Sequence, residues 1–333
     1  MSKFKNWIEV LKTSNLPPDR EPDLISRWLI ITRAAVVTMT LTSGLIGGLM
    51  AAVYAKDPDW LYFSFALVGL VIAHISNNLM NDYFDYRGGV DTEDYTRAQY
   101  APHPVLSGFL TERALIRSIM ICNLIDFMIM VFLALQRGLP VVIFALLGLF
   151  ISVFYVAPPL RLKHHGFGEP SVFLIWGPLM IGGTYYVTAG VFPPSGVWLA
   201  GIPYALLVTT VLIGKHIDKL EEDKIKRIHT IPVLIGESAS KKLNSILMIA
   251  YYPLVAGLVV ARMLDIWVLL VLLALPRLRD TVRLTNKPKP TSPPPGIPNW
   301  PLWYVSIAFI HARPAGSWFI LGLILNILVP VLR

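Results

Sequence analysis

Charged residues are scarce in this sequence. Only 15% of its 333 residues are Asp, Glu, Lys or Arg, while 55% are hydrophobic. A soluble domain carries about a quarter charged residues, so a very apolar soluble helical protein would need an implausibly large core. The apolar residues are grouped into runs, and a run of about 20 can cross a bilayer as a helix. The composition therefore predicts an integral membrane protein.

Cysteine is almost absent as well. The single residue, Cys122, lies inside an apolar run, so no disulfide can form within the chain and the redox compartment stays undetermined. A cleavable signal peptide is not expected either. About 27 residues, with Asp19 and Asp23 among them, precede the first apolar run, and no small-residue cleavage site closes that run. The first run is therefore expected to be a membrane span.

Apolar runs predict the fold class, an all-α membrane protein with about nine transmembrane helices. The eighth run is the shortest. We expect an N-terminal segment over residues 1–27, followed by a single transmembrane domain over residues 28–333. The nine runs cover residues 28–54, 60–80, 113–135, 139–157, 170–192, 197–214, 243–261, 266–278 and 317–332.

The net charge of +8 would suggest a nucleic-acid partner in a soluble protein. Here membrane topology explains it, and no nucleic acid is expected. Most of the 29 Lys and Arg residues fall in the N-terminal segment and in the loops after even-numbered runs, among them Arg313. The other loops are very short. The positive-inside rule then places the N-terminus and all long loops in the cytoplasm, with the helices among the lipids of the plasma (inner) membrane. Long loops on one face usually carry function.

The second apolar run ends in a polar stripe. If the helix continues through Asp85, the stripe shares one face because its members recur at three and four residues: His74, Asn78, Asn81, Asp82 and Asp85. Asp82 and Asp85 could then bind one cation, and oxygen ligands suit Mg²⁺. Gly88 and Gly89 should break the helix and let Asp91 return toward the same site. A solvated acidic helix end is the alternative interpretation.

A second acidic cluster follows the sixth run. Asp218 and Glu222 are four residues apart on one helical face, and Lys215 lies one turn earlier. Alone, this pattern is also typical of a solvated, salt-bridged face, with Lys219 and Asp223 as a pair. Both clusters follow even-numbered runs, however, so they are expected at the same membrane face. Two such carboxylate groups can hold divalent ions with a diphosphate between them.

The motifs of this chain resemble those of the UbiA superfamily of intramembrane prenyltransferases over most of its length. Asn81-Asp82-x-x-Asp85 followed by Asp91 is similar to the first aspartate motif. Asp218-x-x-x-Glu222 followed by residues 230–236 is similar to the second, and residues 155–169 resemble the segment after the fourth span. The chain departs from the motifs of that superfamily at three places, which affect the expected acceptor more than the expected chemistry. Gly89 and Glu222 stand where many members have an aspartate, and residues 103–108 match the corresponding segment of some branches only loosely.

The resemblance implies a central cavity within nine helices, capped by cytoplasmic loops, and ionisation of an allylic prenyl diphosphate that an electron-rich acceptor then captures. It implies Mg²⁺ as cofactor. The expected catalytic and metal-binding residues are Asp82, Asp85, Asp218 and Glu222, with Asp91 as a further ligand. Tyr155 would face the cation through its ring, although an interfacial anchor would also explain it. The other expected substrate-binding residues are Asn78, Asn81, Arg161, Lys163 and Lys215.

The acceptor is expected from residues 81–92, which are most similar to the branch that prenylates 1,4-dihydroxy-2-naphthoate. This implies a small aromatic quinone precursor, with a tetrapyrrole alcohol or a glycerol phosphate as the alternatives that other branches use. A transporter is the alternative from another class. It fits less well because both clusters are expected at one membrane face, whereas transporter sites lie near the midplane. A non-enzymatic scaffold would leave the polar stripe unexplained.

Overall fold

A computed structural model describes residues 3–17, 19–295 and 299–332. These residues are almost entirely helical, and their only bridge pairing is an isolated one between His165 and His229. Two 3₁₀ helices cover Leu162–His164 and Ile266–Ala274. The α-helices are α1 Lys3–Thr13, α2 Leu24–Ile31, α3 Ala34–Tyr54, α4 Trp60–Arg87, α5 Thr96–Tyr100, α6 Glu112–Arg137, α7 Leu139–Phe154, α8 Gly168–Ala189, α9 Ser195–Asp218, α10 Leu220–Ile225, α11 Ile231–Ile235, α12 Glu237–Val260, α13 Leu275–Thr285 and α14 Trp303–Leu328. Helix α8 contains a π-helical stretch over Ile175–Gly182.

Seven of these helices are long and apolar enough to cross a membrane: α3, α4, α6, α8, α9, α12 and α14. Helix α7 is equally apolar but has 16 residues, which span about 24 Å. The eighth predicted segment is a 3₁₀ helix followed by α13. The all-helical membrane fold is therefore confirmed, whereas nine spanning helices are not established among the described residues.

The first predicted span is interrupted. Helix α2 ends at Ile31 and α3 begins at Ala34, because Arg33 between them has a left-handed backbone with φ 54°. This break turns the Arg33 side chain toward α4, where its guanidinium donates to the carboxylate of Asp82. One predicted span thus becomes a short surface helix and a membrane helix.

The last predicted span begins earlier than hydropathy indicated. Helix α14 starts at Trp303, because the Asp218 carboxylate accepts hydrogen bonds from the first free N–H groups of that helix. Arg313, which the sequence placed in a loop, therefore lies inside α14. Its guanidinium donates to the carbonyl of Ala35 at 3.1 Å, which supplies a partner at membrane depth.

Helix α9 forms the centre of the bundle and packs against α8, α12 and α14. Large side chains such as Tyr185, Tyr251 and Phe319 are fully buried around it. Helix α6 lies at the periphery, because its exposed apolar side chains recur along one face: Met120, Leu124, Phe127, Val131 and Leu135. That face is the one that hydrocarbon would cover.

A cavity of about 1100 Å³ runs through the bundle. At one end, here called the charged end, α4 terminates at Arg87 and α9 at Asp218. The cavity continues from this end past apolar walls to an opposite end lined by Leu133, Val141 and Val187. An elongated space with one polar end suits a molecule that has a charged head and an apolar chain.

Candidate active site

Helix α4 extends to Arg87, so the polar stripe predicted from the sequence is helical throughout. Asn78, Asn81 and Asp85 line the cavity. The helix ends at the two glycines, and Gly89 has a φ of +70° that favours glycine. The chain then turns back, since the backbone N–H of Asp91 donates to the carbonyl of Asp85 at 3.1 Å. Asp91 thereby joins the lining of the cavity.

Asp82 points away from the cavity and is fully buried. Its carboxylate accepts hydrogen bonds from Arg33 and from Arg97, the latter at 2.8 and 3.0 Å. Burial disfavours the charged form of Arg97, but the Asp82 carboxylate outweighs this effect and raises the pKa of Arg97. One aspartate therefore joins α4 to the α2–α3 break and to α5.

Replacing Asp82 with alanine is expected to destabilise the protein. Two buried guanidinium groups would lose their counter-charge, which costs about 3–5 kcal/mol when one partner of a buried pair is removed. Thermal unfolding of the purified protein in detergent should show the midpoint falling by about 5 °C or more. The matched control is Asp94→Ala, an exposed aspartate in the loop that follows α4. Equal midpoints for the two variants would contradict the structural role of Asp82.

Asp85 pairs with Lys163, whose ammonium lies 2.6 Å from the carboxylate. Next to it, Oδ1 of Asn81 is buried without a hydrogen-bond partner among the described residues. A cation thus already accompanies the Asp85 carboxylate, and an oxygen ligand one turn away is unused. The donor set of Asn81, Asp85 and Asp91 consists of oxygens only, as Mg²⁺ prefers. These residues fit a divalent ion of that kind.

The predicted ligands of the second cluster lie in other contacts. Asp218 caps α14 as described above, and Lys289 lies 3.7 Å from its carboxylate. Glu222 accepts hydrogen bonds from the backbone N–H and the hydroxyl of Thr96, at 3.1 and 2.7 Å. Since Thr96 opens α5, Glu222 holds the helix that carries Arg97. Neither carboxylate is part of the cavity lining formed by the described residues.

Lys219 and Asp223 form the ion pair that the sequence suggested, at 3.2 Å, but the pair is buried instead of solvated. Burial alone would lower the pKa of Lys219, yet the Asp223 carboxylate holds that pKa well above its ordinary value. The Tyr95 hydroxyl donates to Asp223 at 2.7 Å. Oδ2 of Asp223 has no partner in the described part of the chain. The second cluster therefore offers one free oxygen from Asp223.

Several cations line the charged end of the cavity: Arg33, Arg97, Lys163, Lys215 and Lys219. Lys215 differs from the others because it has no ion-pair partner in the described ranges of the chain. Tyr155, which was among the predicted substrate-binding residues, also lines the cavity, and its role stays a prediction. Arg161 does not, since it is exposed outside the cavity lining.

Sequence reasoning missed a buried pair between His216 and Glu169. Nδ1 of His216 lies 2.7 Å from Oε1 of Glu169, which also accepts from the backbone N–H of Ile231 at 3.2 Å. His216 lines the cavity. Since 47 residues separate the two, no local spacing could have indicated the pair. It fixes α9 to the start of α8 beside the cations.

Asp82, Asp91 and His103 bring one possible ligand atom each within 4.8 Å of one another. A metal ion is disfavoured at this position, because the two guanidinium groups on Asp82 would repel it. The unused oxygen of Asn81 belongs instead to a residue that lines the cavity, where an ion could also bind a substrate. Asp223 is not in that lining, but its ion-pair partner Lys219 is. The cavity side of the site is therefore the better place for a divalent ion.

These features define a membrane-embedded site that suits a molecule with an anionic head and an apolar chain. The chain belongs to the UbiA prenyltransferase family, whose sequence model matches residues 40–294. It is thus a prenyltransferase, as its named relatives are.

Two relatives illustrate the similarity. The 1,4-dihydroxy-2-naphthoate octaprenyltransferase of Bacillus subtilis is 24% identical over 247 residues, which cover 74% of this chain and 78% of that protein. The UbiA prenyltransferase domain-containing protein 1 of Dictyostelium discoideum is 26% identical over 231 residues, or 66% of this chain and 67% of that protein.

Solved structures share the fold. A digeranylgeranylglyceryl phosphate synthase has a TM-score of 0.56 at 17% identity, over 91% of this chain and 98% of its own. A UbiA homologue from Archaeoglobus fulgidus bound to GPP and Mg²⁺ has a TM-score of 0.54 at 12% identity, over 88% of this chain and 99% of its own. At these identities the likeness extends to the fold alone.

Proposed function

We propose that this prenyltransferase uses Mg²⁺ to transfer a prenyl chain from a prenyl diphosphate to a small aromatic quinone precursor, a dihydroxynaphthoate. The observation that carries the proposal is the cavity itself, which has carboxylates and cations at one end and apolar walls beyond. Relatives named as naphthoate prenyltransferases support the acceptor. We place the charged end at the cytoplasmic face of the plasma membrane, because the basic loops gather there.

Asn81, Asp85 and Asp91 would hold the Mg²⁺ ion, and Asp223 would act from the second cluster by holding the cavity-lining Lys219. When bound, the ion would supply positive charge that stabilises the leaving diphosphate. Lys163, which accompanies Asp85 at 2.6 Å, would turn toward the diphosphate once another cation neutralises that carboxylate. The unpaired Lys215 would bind the same group, because a cavity-lining cation without a counter-ion attracts an anion.

The other acidic residues predicted as ligands would act indirectly. Asp82 would fix Arg33 and Arg97 at the cavity wall, and Glu222 would fix the helix that carries Arg97. Asp218 would hold α14 in position through its three backbone hydrogen bonds. The carboxylates of both clusters thus contribute to one site, some by contact with the ion and others by positioning the cations around it.

The remaining cavity residues would control the allylic cation. The Tyr155 ring borders the space beside Lys163 and Asp85, where a developing cation at C1 would face its electron-rich surface. The apolar walls beyond would accommodate the prenyl chain and exclude water, which would otherwise compete with the acceptor for the cation. The bond from C1 to oxygen breaks with its electron pair on the diphosphate, and the acceptor ring supplies the pair for the new carbon–carbon bond. The attacked ring carbon would then lose a proton, which restores the aromatic ring.

An acceptor panel tests the proposed function. The purified protein, one prenyl diphosphate and Mg²⁺ are incubated with a dihydroxynaphthoate, a hydroxybenzoate, a glycerol phosphate or a tetrapyrrole alcohol, and the products are measured by mass spectrometry. We expect the dihydroxynaphthoate to react fastest, because it is flat, activated by two hydroxyls and small enough for the cavity. A reaction without acceptor controls for hydrolysis. A clear preference for the glycerol phosphate or the tetrapyrrole would overturn the aromatic acceptor.

A further inference from the structure

One wall of the cavity is polar although it lies within the membrane helices. Asn77 on α4 donates to the Ser152 hydroxyl on α7 at 2.7 Å. Asn123 and Asp126 on α6 face the same space, and all four residues line the cavity. Asn77 also accepts a hydrogen bond from Asn81 at 3.4 Å, so this wall continues directly from the charged end. Polar groups at this depth are costly, so they usually serve a function.

Asp126 is the residue that most needs an explanation. Its Oδ1 is buried and has no hydrogen-bond partner among the residues that the structure describes. A buried polar atom without a partner costs free energy, and a membrane interior offers no water to compensate. Gly69 on the neighbouring helix leaves space beside it, since even a methyl group there would lie 3.8 Å from Oδ1. The carboxyl group is thus arranged for a partner that enters the cavity.

The polar wall lies at the depth at which an acceptor would meet the prenyl cation. Asn77 precedes Asp85 by eight residues on α4, which corresponds to about 12 Å along the helix. A diphosphate at Asp85 would occupy the first part of this distance. The remaining distance would accommodate C1 of the prenyl chain and a flat acceptor ring, whose far edge would reach the polar wall. The Ser152 hydroxyl accepts from Asn77, so its own hydrogen remains available to donate.

The wall is also reachable from the bilayer. Helices α6 and α7 are joined at Gly138 at the opposite end, and Val141 is the only described residue of α7 that is buried. Phe127 on α6 and Leu146 on α7 line the cavity while remaining 57% and 52% exposed. Residues that border both the cavity and the outside mark a gap between the two helices, through which an apolar ring with polar substituents could enter.

We propose that Asn77, Asn123, Asp126 and Ser152 form the acceptor subsite, which binds the hydroxyl groups of a flat aromatic ring. This inference rests on the proposed function. Asp126 accepts a hydrogen bond from a ring hydroxyl, and Ser152 donates one to a ring oxygen. The acceptor enters between α6 and α7, so that its reactive edge faces the charged end.

A thermodynamic cycle tests the subsite by combining the substitution Asp126→Leu with methylation of one acceptor hydroxyl. Asp126→Leu should raise the KM for a dihydroxynaphthoate roughly 10- to 100-fold, because a hydrogen bond to a carboxylate is lost. The KM for the prenyl diphosphate should stay within about twofold, since its diphosphate binds at the charged end and its chain makes no hydrogen bond to Asp126. In the wild type, converting the acceptor hydroxyl to a methyl ether should raise the acceptor KM by a similar factor. In Asp126→Leu the same conversion should raise the acceptor KM little further.

Two further variants separate a binding role from a structural one. Asn244→Leu is the matched control, because Asn244 on α12 is a buried amide that has no hydrogen-bond partner within the described ranges and does not line the cavity. It should leave both KM values unchanged. Ser152→Ala removes the donor and should also raise only the acceptor KM. The subsite would be overturned if methylation of the acceptor hydroxyl raised the acceptor KM by the same factor in the wild type and in Asp126→Leu. An unchanged acceptor KM in Asp126→Leu would overturn it as well.

The subsite and the proposed function fail by different measurements. Mg²⁺-dependent binding of a prenyl diphosphate without any acceptor reports on the charged end alone, and Asp126→Leu should retain it at the wild-type level. Absence of that binding in the wild type contradicts the proposed function. If the prenyl diphosphate binds but the effects of Asp126→Leu and of hydroxyl methylation on the acceptor KM simply add, the acceptor subsite is contradicted and the proposed function stays intact.

Discussion

Replacing Asp85 with asparagine should lower turnover on the order of 1000-fold, because a loss of about 4 kcal/mol of transition-state stabilisation corresponds to that factor. Asp85 lines the cavity one helical turn after Asn81 and pairs with the Lys163 ammonium. Its neutral amide would keep the shape of the side chain but would bind a divalent ion weakly and would no longer neutralise Lys163. The measurement is steady-state prenyl transfer by the purified variant at saturating Mg²⁺.

The control for Asp85→Asn is Asp94→Asn, which changes the charge by the same amount at an exposed position in the loop after α4. It should retain turnover within about a factor of two, since exposed charges contribute little. Thermal midpoints of both variants show whether either has lost its fold. Turnover of a folded Asp85→Asn protein within a few-fold of the wild type would refute its assignment to the metal site.

Removal of divalent ions should abolish prenyl transfer. The proposed ligands are amide and carboxylate oxygens from Asn81, Asp85 and Asp91, and hard ions suit such a set. Excess chelator should bring turnover to the background of the no-enzyme reaction. Mg²⁺ or Mn²⁺ should then restore it, whereas Zn²⁺ should not, because Zn²⁺ favours nitrogen and sulfur ligands.

The metal experiment has an internal control for protein damage. After chelation, the thermal midpoint should change little, because Lys163 already neutralises Asp85 without an ion. Full turnover in chelator would show that the cations of the cavity stabilise the diphosphate without a metal ion. Restoration by Zn²⁺ at the level of Mg²⁺ would point to a ligand set that includes an imidazole, such as that of His103 beside Asp91.

Features that depend on neighbouring residues could be predicted from the sequence. Hydropathy alone indicated the membrane class and most helices, because lipid requires each spanning segment to be apolar and to satisfy its own backbone. The extension of α4 through Asp85 and its end at Gly88 followed from periodicity of three and four and from two adjacent glycines. These are local properties. The order of the motifs predicted the family, and the family in turn predicted the fold.

The tertiary structure decided which carboxylates border the cavity. Asp82 and Asp85 are one turn apart and look equivalent in sequence, yet Asp82 pairs with Arg33, 49 residues away, while Asp85 faces the cavity. Asp218 likewise caps a helix that begins 85 residues later. Neither the pairing of Glu169 with His216 nor the position of Asp126 in the cavity wall could be predicted from the sequence. Both depend on contacts between distant segments. Such contacts form only when the helices pack, and no local pattern encodes them.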